Sequence, residues 1–114
     1  MSQPSYETFK AQFPGEQEIV HLIARDTANE ETIGVCQYLQ INRVGWIRML
    51  YVREDWRCHG VASRFIEMCR EIAERNQMDS LTLNVRTENQ TAKAVCLKRG
   101  FRHVADGEIW SLTP

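Results

Sequence analysis

Arg57, Gly60 and Ala62 are spaced as Arg-x-x-Gly-x-Ala between the apolar run Met49–Val52 and a segment in which Val61, Phe65, Met68 and Ile72 recur every three or four residues. A strand therefore passes through a short loop into a helix. The first turn of a helix carries unpaired N–H groups and a partial positive charge, and a glycine there lets a ligand approach the main chain. Such a junction suits a phosphate or pyrophosphate; the plain alternative is a tight connection with no ligand. The other reactive side chains form no comparable pattern. Cys36, Cys58, Cys69 and Cys96 make no Cys-x-x-Cys pair and have no ligand-like spacing with His21, His59 or His103. Neither a metal site nor a disulfide framework is supported, and four reduced thiols, mostly buried, are expected.

The elements that must position this loop follow from hydrophobic period and turn chemistry. Residues Ser5 to Phe13 read as one short helix ended by Pro14-Gly15. Glu18–Arg25, Ile33–Ile41 and Trp46–Arg53 read as three strands, joined by polar turns at Asp26–Glu31 and Asn42–Gly45, hence an antiparallel meander. The helix from Val61 to about Arg75 leads to a strand over Ser80–Arg86, with Leu81, Leu83 and Val85 on one face. Strand, helix and strand in this order imply a parallel neighbour reached by a right-handed crossover. Thr87-Glu-Asn-Gln90 reads as a capping box for a second helix, carrying Ala92, Val95, Cys96 and Arg99 on one side and ending at Gly100. Phe101–Ala105 and Glu108–Thr113 read as a hairpin about Asp106-Gly107. The fold class is α/β (α+β): one domain over residues 1–114 with a mixed central sheet, without repeats or linkers.

Composition bounds the function. With 43% hydrophobic and 25% charged residues, 114 residues are enough for one ordinary core. A formal net charge of -1, with no basic stripe interleaved with aromatics, argues against a nucleic-acid partner. The charge is uneven: residues 1–42 carry two basic and six acidic side chains, and the remainder twelve and nine, so the second half suits an anionic ligand better. No apolar run reaches membrane-spanning length and the N-terminus lacks signal-peptide character, which gives the expectation of a cytoplasmic protein away from membranes.

In this order the elements resemble the GNAT superfamily of acyl-CoA-dependent N-acetyltransferases. Arg57-x-x-Gly60-x-Ala62 is similar to its acetyl-CoA loop, Arg/Gln-x-x-Gly-x-Gly/Ala, and Leu50-x-Val52 stands where the preceding strand has such a pair. Leu83-Asn-Val-Arg86, Asn89-x-x-Ala92 and Lys98-x-Gly100-Phe101 resemble the second half of the signature, so the likeness covers Glu18 to Thr113. Within the superfamily the chain most resembles the bacterial ribosomal-protein N-terminal acetyltransferase branch. The resemblance implies acetyl-CoA as co-substrate, no metal, and a primary amine on a protein or small molecule as acceptor. It implies that main-chain N–H groups of Cys58, His59, Gly60, Val61, Ala62 and Ser63 hold the pyrophosphate. The pantetheine arm would lie along Leu50, Tyr51 and Val52 where two parallel strands splay, with the Val52 N–H polarising the thioester carbonyl. Asn89 would contact the cofactor arm or order its loop, and Arg57, Arg53 and Lys93 are cofactor-phosphate candidates or solvated surface groups.

The proton-transfer groups depart from the family. In that branch the base is a glutamate on the strand after the phosphate helix and the acid a tyrosine in the second helix; here Asn84 and Cys96 occupy those positions. Another subgroup carries its glutamate where this chain has Trp46. Cys96 reads as a general acid, as a nucleophile giving an acetyl-enzyme, or as a packed core residue. His21, Glu18, Asp26 and Glu54 are candidate bases, and a partly neutral α-amine needs none. The short N-terminal region leads us to expect an open acceptor groove and an exposed edge at Glu18–Arg25, covered by a second copy of the chain as a homodimer or by an extended peptide. The rival reading is a CoA-binding or protein-interaction module that kept the fold and lost efficient catalysis.

Overall fold

A computed structural model describes residues 3–104 and 108–113. The chain forms strands β1 (Pro4–Ala11), β2 (Ile19–Asp26), β3 (Thr32–Ile41) and β4 (Val44–Val52), then a 3₁₀ turn at Glu54–Trp56 and helix α1 (Val61–Arg75). Strand β5 (Ser80–Asn84), helix α2 (Gln90–Lys98), and strands β6 (Arg102–His103) and β7 (Ile109–Leu112) follow. One seven-stranded sheet results, in the order β1-β2-β3-β4-β5-β7-β6. Strands β1 to β4 are antiparallel neighbours, β4 and β5 are parallel, and β7 runs antiparallel to both β5 and β6. The α/β class, the meander and the parallel crossover agree with the sequence reading. The Asp106-Gly107 turn expected in the last hairpin lies outside the described residues.

The N-terminal segment corrects one expectation. Residues 4–11 form a strand paired along β2, from Pro4 opposite Asp26 to Ala11 opposite Ile19, where a short helix was expected. The physical reason is that a short, mostly polar segment gains little from helix propensity and more from satisfying an open edge. Tyr6 turns inward and meets the Phe65 ring edge-on at 5.8 Å, while Pro4 sits at the strand end, where its missing N–H costs no ladder bond. The predicted exposed edge at Glu18–Arg25 is therefore covered by the chain's own N-terminus. The argument for a second copy at that edge falls with it.

Cross-strand partners share a face, so the register assigns every strand residue to one side of the sheet. Val20, Leu22 and Ala24 pair with Tyr38, Cys36 and Gly34, and Tyr38 pairs with Ile47, which lies opposite Leu83. This face receives α1 through Val61, Phe65, Ile66, Cys69 and Ala73, all buried. Phe65 is 0% exposed, and burial of such a ring contributes about 2–3 kcal/mol. Cys96 and Phe101, from α2 and its C-terminal turn, join the same core cluster. Both helices thus cover one side. The opposite side carries His21, Ile23, Val35, Gln37, Leu39, Trp46, Arg48 and Thr82, with no helix over it among the described residues. The molecule is thin as a result, 39 × 37 × 21 Å.

Local signals account for the remaining boundaries. Asn42 and Arg43, with φ of 49° and 66°, make a two-residue hairpin turn, so Val44 and Gly45 belong to β4 and not to the turn. Gly45 is required for packing: a Cβ there would lie 2.7 Å from the buried Tyr38 hydroxyl. The second helix is capped by Asn89, whose Oδ1 accepts from the Ala92 N–H at 3.0 Å. Thr87 is not the cap; its N–H donates instead to the Glu108 carboxylate at 2.7 Å. Strand β5 stops at Asn84, two residues before the predicted end.

Candidate active site

The parallel pairing of β4 and β5 runs from Val44 opposite Ser80 to Ile47 opposite Leu83 and stops there. Beyond it β4 continues to Val52 along β3 alone, deflected by a register shift between Val35 and Gln37 and a left-handed Met49 (φ 50°). The two strands therefore part in a V. The main-chain phase inside the gap follows from one bond, the 2.7 Å hydrogen bond from the Arg53 N–H to the Ile33 carbonyl. In an antiparallel ladder successive residues direct their main-chain groups to alternate sides. With Arg53 turned to β3, the N–H and carbonyl of Val52 face the gap. The Val52 carbonyl is taken by the Arg57 Nε at 3.1 Å.

A cleft of about 680 Å³ fills the V and extends between the helices. Leu50, Tyr51 and Val52 line it from β4, Leu83 from β5, and Asn89, Ala92, Val95 and Cys96 from α2 and its cap. Arg57, Cys58, Gly60, Val61, Ala62 and Ser63 line its mouth. There the sequence forces an unusual backbone: Cys58 has φ 65° and Gly60, at the helix N-cap, has φ 82°. Two left-handed residues one apart turn the chain sharply just before the positive end of α1. No side chain caps this helix start, and the space where a Gly60 Cβ would stand is empty to 4 Å. The main chain there is open to an approaching ligand.

The charged groups nearby are mostly committed elsewhere. Arg53 is bound to Asp55 at 2.7 Å and Glu31 at 3.0 Å. These bonds, Asp55 first, push its guanidinium further up and hold the Asp55 carboxyl below its usual range. Arg53 therefore does not reach into the cleft, and Lys93 is not in the lining; Lys98, which sequence reasoning did not single out for a ligand, is. Thr91, Trp56 and Ile66 were missed as lining residues too. The helical spacing of Ile66 from Ala62 and Ser63, and of Thr91 and Lys98 from Val95, was the available signal.

The proposed proton-transfer residues separate into two groups. Cys96 lines the cleft but is 1% exposed, and burial pushes its thiol up to about 11. Asn84 is exposed and outside the lining; its register with Ile109 turns its side chain to the uncovered face. His59 is outside the lining as well, its Nδ1 2.9 Å from the Arg57 carbonyl and its ring against Trp56. His21 stacks on Phe9 with ring centroids 4.7 Å apart, and the buried Asp26 accepts from the Ala28 N–H. Glu18 lies beside Lys10, and Glu54 is exposed in the 3₁₀ turn. No carboxylate or imidazole is found among the described residues that line the cleft.

The comparisons with known proteins agree with this arrangement. No curated protein matches the chain by sequence. Among solved structures, an IAA acetyltransferase from Bacillus cereus ATCC 14579 superposes with a TM-score of 0.79 at 15% identity, covering 98% of this chain and 100% of that one. The ribosomal-protein-S18-alanine N-acetyltransferase of Escherichia coli has a TM-score of 0.74 at 15% identity, with 97% and 94% covered. The PaiA N-acetyltransferase of Thermoplasma acidophilum, in complex with coenzyme A, has a TM-score of 0.73 at 19% identity; this chain covers 61% of its length, and 84% of this chain is matched. These likenesses establish the fold. The sequence itself matches the family model described as acetyltransferase (GNAT) family over residues 2–101, and with the splayed strands and the open helix start already in view, the chain belongs to that family.

Proposed function

We propose that the chain is an acetyl-CoA-dependent N-acetyltransferase that passes acetyl directly to a primary amine. The observation that carries this reading is the pairing, in one cleft, of an uncapped helix start with a main-chain N–H at Val52 directed into the strand gap. The N–H groups around Cys58 to Ser63 suit the pyrophosphate, and the apolar wall of Leu50, Leu83 and Val95 suits the pantetheine arm. Acetyl-CoA supplies the activated thioester; the chain supplies a donor at Val52 for the oxyanion that develops on the thioester carbonyl. The acceptor arrives from the uncovered face of the sheet, on which Tyr51 stands in register with Val35.

Since the described residues that line the cleft include no carboxylate or imidazole, on this reading the amine attacks in its neutral form and its proton leaves through water. That favours an α-amine, whose ordinary pKa near 7.7 leaves a fraction neutral, over a lysine side chain. A peptide N-terminus is consistent with the open acceptor side and with the ribosomal-protein branch suggested by the motifs. Direct transfer is preferred to an acetyl-cysteine route because burial holds Cys96 in the thiol form at neutral pH. A cytoplasmic location is part of the same reading, since unpaired cysteines suit a reducing compartment.

The test measures thiol release from acetyl-CoA with peptide, polyamine and aminoglycoside amines, alongside calorimetric titration of the coenzyme. Acceptor-dependent release, greatest with peptide α-amines, is the expected result. Heat of binding without release with any amine would replace this reading by the rival binding module. No heat at all would remove both.

A further inference from the structure

The strand gap leaves a main-chain problem. Val52 directs both its N–H and its carbonyl away from β3, toward a position that β5 has already left. A carbonyl in that position lacks its ladder partner, and its negative end would stand beside the place where charge develops on a bound thioester. Arg57 answers both needs. Its Nε donates to the Val52 carbonyl at 3.1 Å, while the residue itself lies in the cleft lining at the start of the phosphate loop.

We infer that Arg57 is a positioning residue: by holding the Val52 carbonyl it orients the β4 terminus so that the neighbouring N–H faces the reacting carbonyl. In doing so it occupies the site where a β5 donor would otherwise close the gap, and so braces the V open. Since Arg57 also belongs to the loop that cradles the anion, the same side chain ties the strand end to the phosphate site. Its Nε is committed to the strand, which separates this role from that of a simple phosphate ligand. The 3₁₀ turn makes the reach possible: the Arg57 N–H bonds the Glu54 carbonyl at 3.3 Å and the Trp56 N–H bonds the Arg53 carbonyl at 2.9 Å, folding the chain back over Val52.

This inference rests on the acetyltransferase reading for its kinetic consequence but not for its geometry, and the experiment uses both. Arg57→Met keeps the unbranched stem as far as the Nε position and removes the donor; Arg57→Gln restores an N–H donor there without the charge. With acetyl-CoA and the best acceptor, Arg57→Met is expected to lower kcat about ten- to a hundredfold, in line with the cost of misplacing a catalytic group, while changing the KM for acetyl-CoA less than about threefold. Arg57→Gln should recover a substantial part of the loss. In the full-length protein without coenzyme, the carbonyl ¹³C resonance of Val52 should move upfield in Arg57→Met and return toward its original position in Arg57→Gln. An unchanged kcat with a raised KM would make Arg57 a phosphate ligand only and overturn the inference. An unmoved Val52 resonance would overturn it too, and decides the matter alone if the wild-type chain transfers no acetyl group.

Discussion

Cys96 shows how one side chain changes meaning between sequence and structure. By position it stands where the family resemblance implies an acid, and it does line the cleft. Yet it is 1% exposed, lies in the core with Phe101, and has its thiol pushed up to about 11 by burial. Such a thiol stays protonated at neutral pH, and giving its proton to a leaving thiolate of ordinary pKa near 8.5 would run uphill. We therefore expect Cys96→Ala to leave kcat within about threefold of wild type while costing about 1–2 kcal/mol of stability through the small cavity it opens. Denaturant melts of the pair, run beside the thiol-release assay, check this. A fall of a hundredfold in kcat with unaltered acetyl-CoA affinity would restore Cys96 as the acid.

At the scale of elements, β1 was the least legible and is the most consequential. Its sequence, Pro-Ser-Tyr-Glu-Thr-Phe-Lys-Ala, carries no continuous apolar face, and most of its side chains remain exposed. What makes it a strand is the open edge of β2, whose eight residues it pairs in full. Removing residues 1–11 should therefore expose that edge while leaving the site elements in place. We expect the truncated chain to sediment as a dimer or larger species, where the full chain does not associate through β2, and to lose about 2 kcal/mol or more as Tyr6 leaves Phe65. A truncated chain that stays at the full chain's association state and stability would show that the β1 pairing contributes little.

For the whole molecule, buried groups whose acid forms the fold favours, Tyr38, Cys69 and Cys96 among them, set the alkaline limit. Burial raises Tyr38 from an ordinary 10.0 to about 12 and Cys96 from 9.0 to about 11. Both folded pKa values lie above the unfolded ones, so the stability each contributes is fully present below the unfolded pKa and is lost as pH climbs to the folded one. For Cys96 the window is pH 9 to 11 and for Tyr38 pH 10 to 12. Each group accounts for up to about 2 kcal/mol over its window. Denaturant midpoints should fall steadily above pH 9, and Cys96→Ala should make that fall shallower without moving its onset, because Cys69, whose thiol the neighbouring Cys36 and burial also push up from 9.0, still contributes. A slope unchanged in that variant would assign the loss to other groups.

Much of this protein was written along the chain itself. The helix Val61–Arg75 is marked by its own apolar period, the strands of the meander by β-branched runs between polar turns, and the loop before α1 by its Arg-x-x-Gly-x-Ala spacing. Those features depend on neighbours a few residues apart, so sequence suffices to read them. The conformation of residues 4–11, the taking of the Val52 carbonyl by Arg57 and the helix-free face of the sheet belong to another class. Each depends on which strand edge, gap or surface another segment leaves unsatisfied, and that is decided only when distant parts of the chain meet.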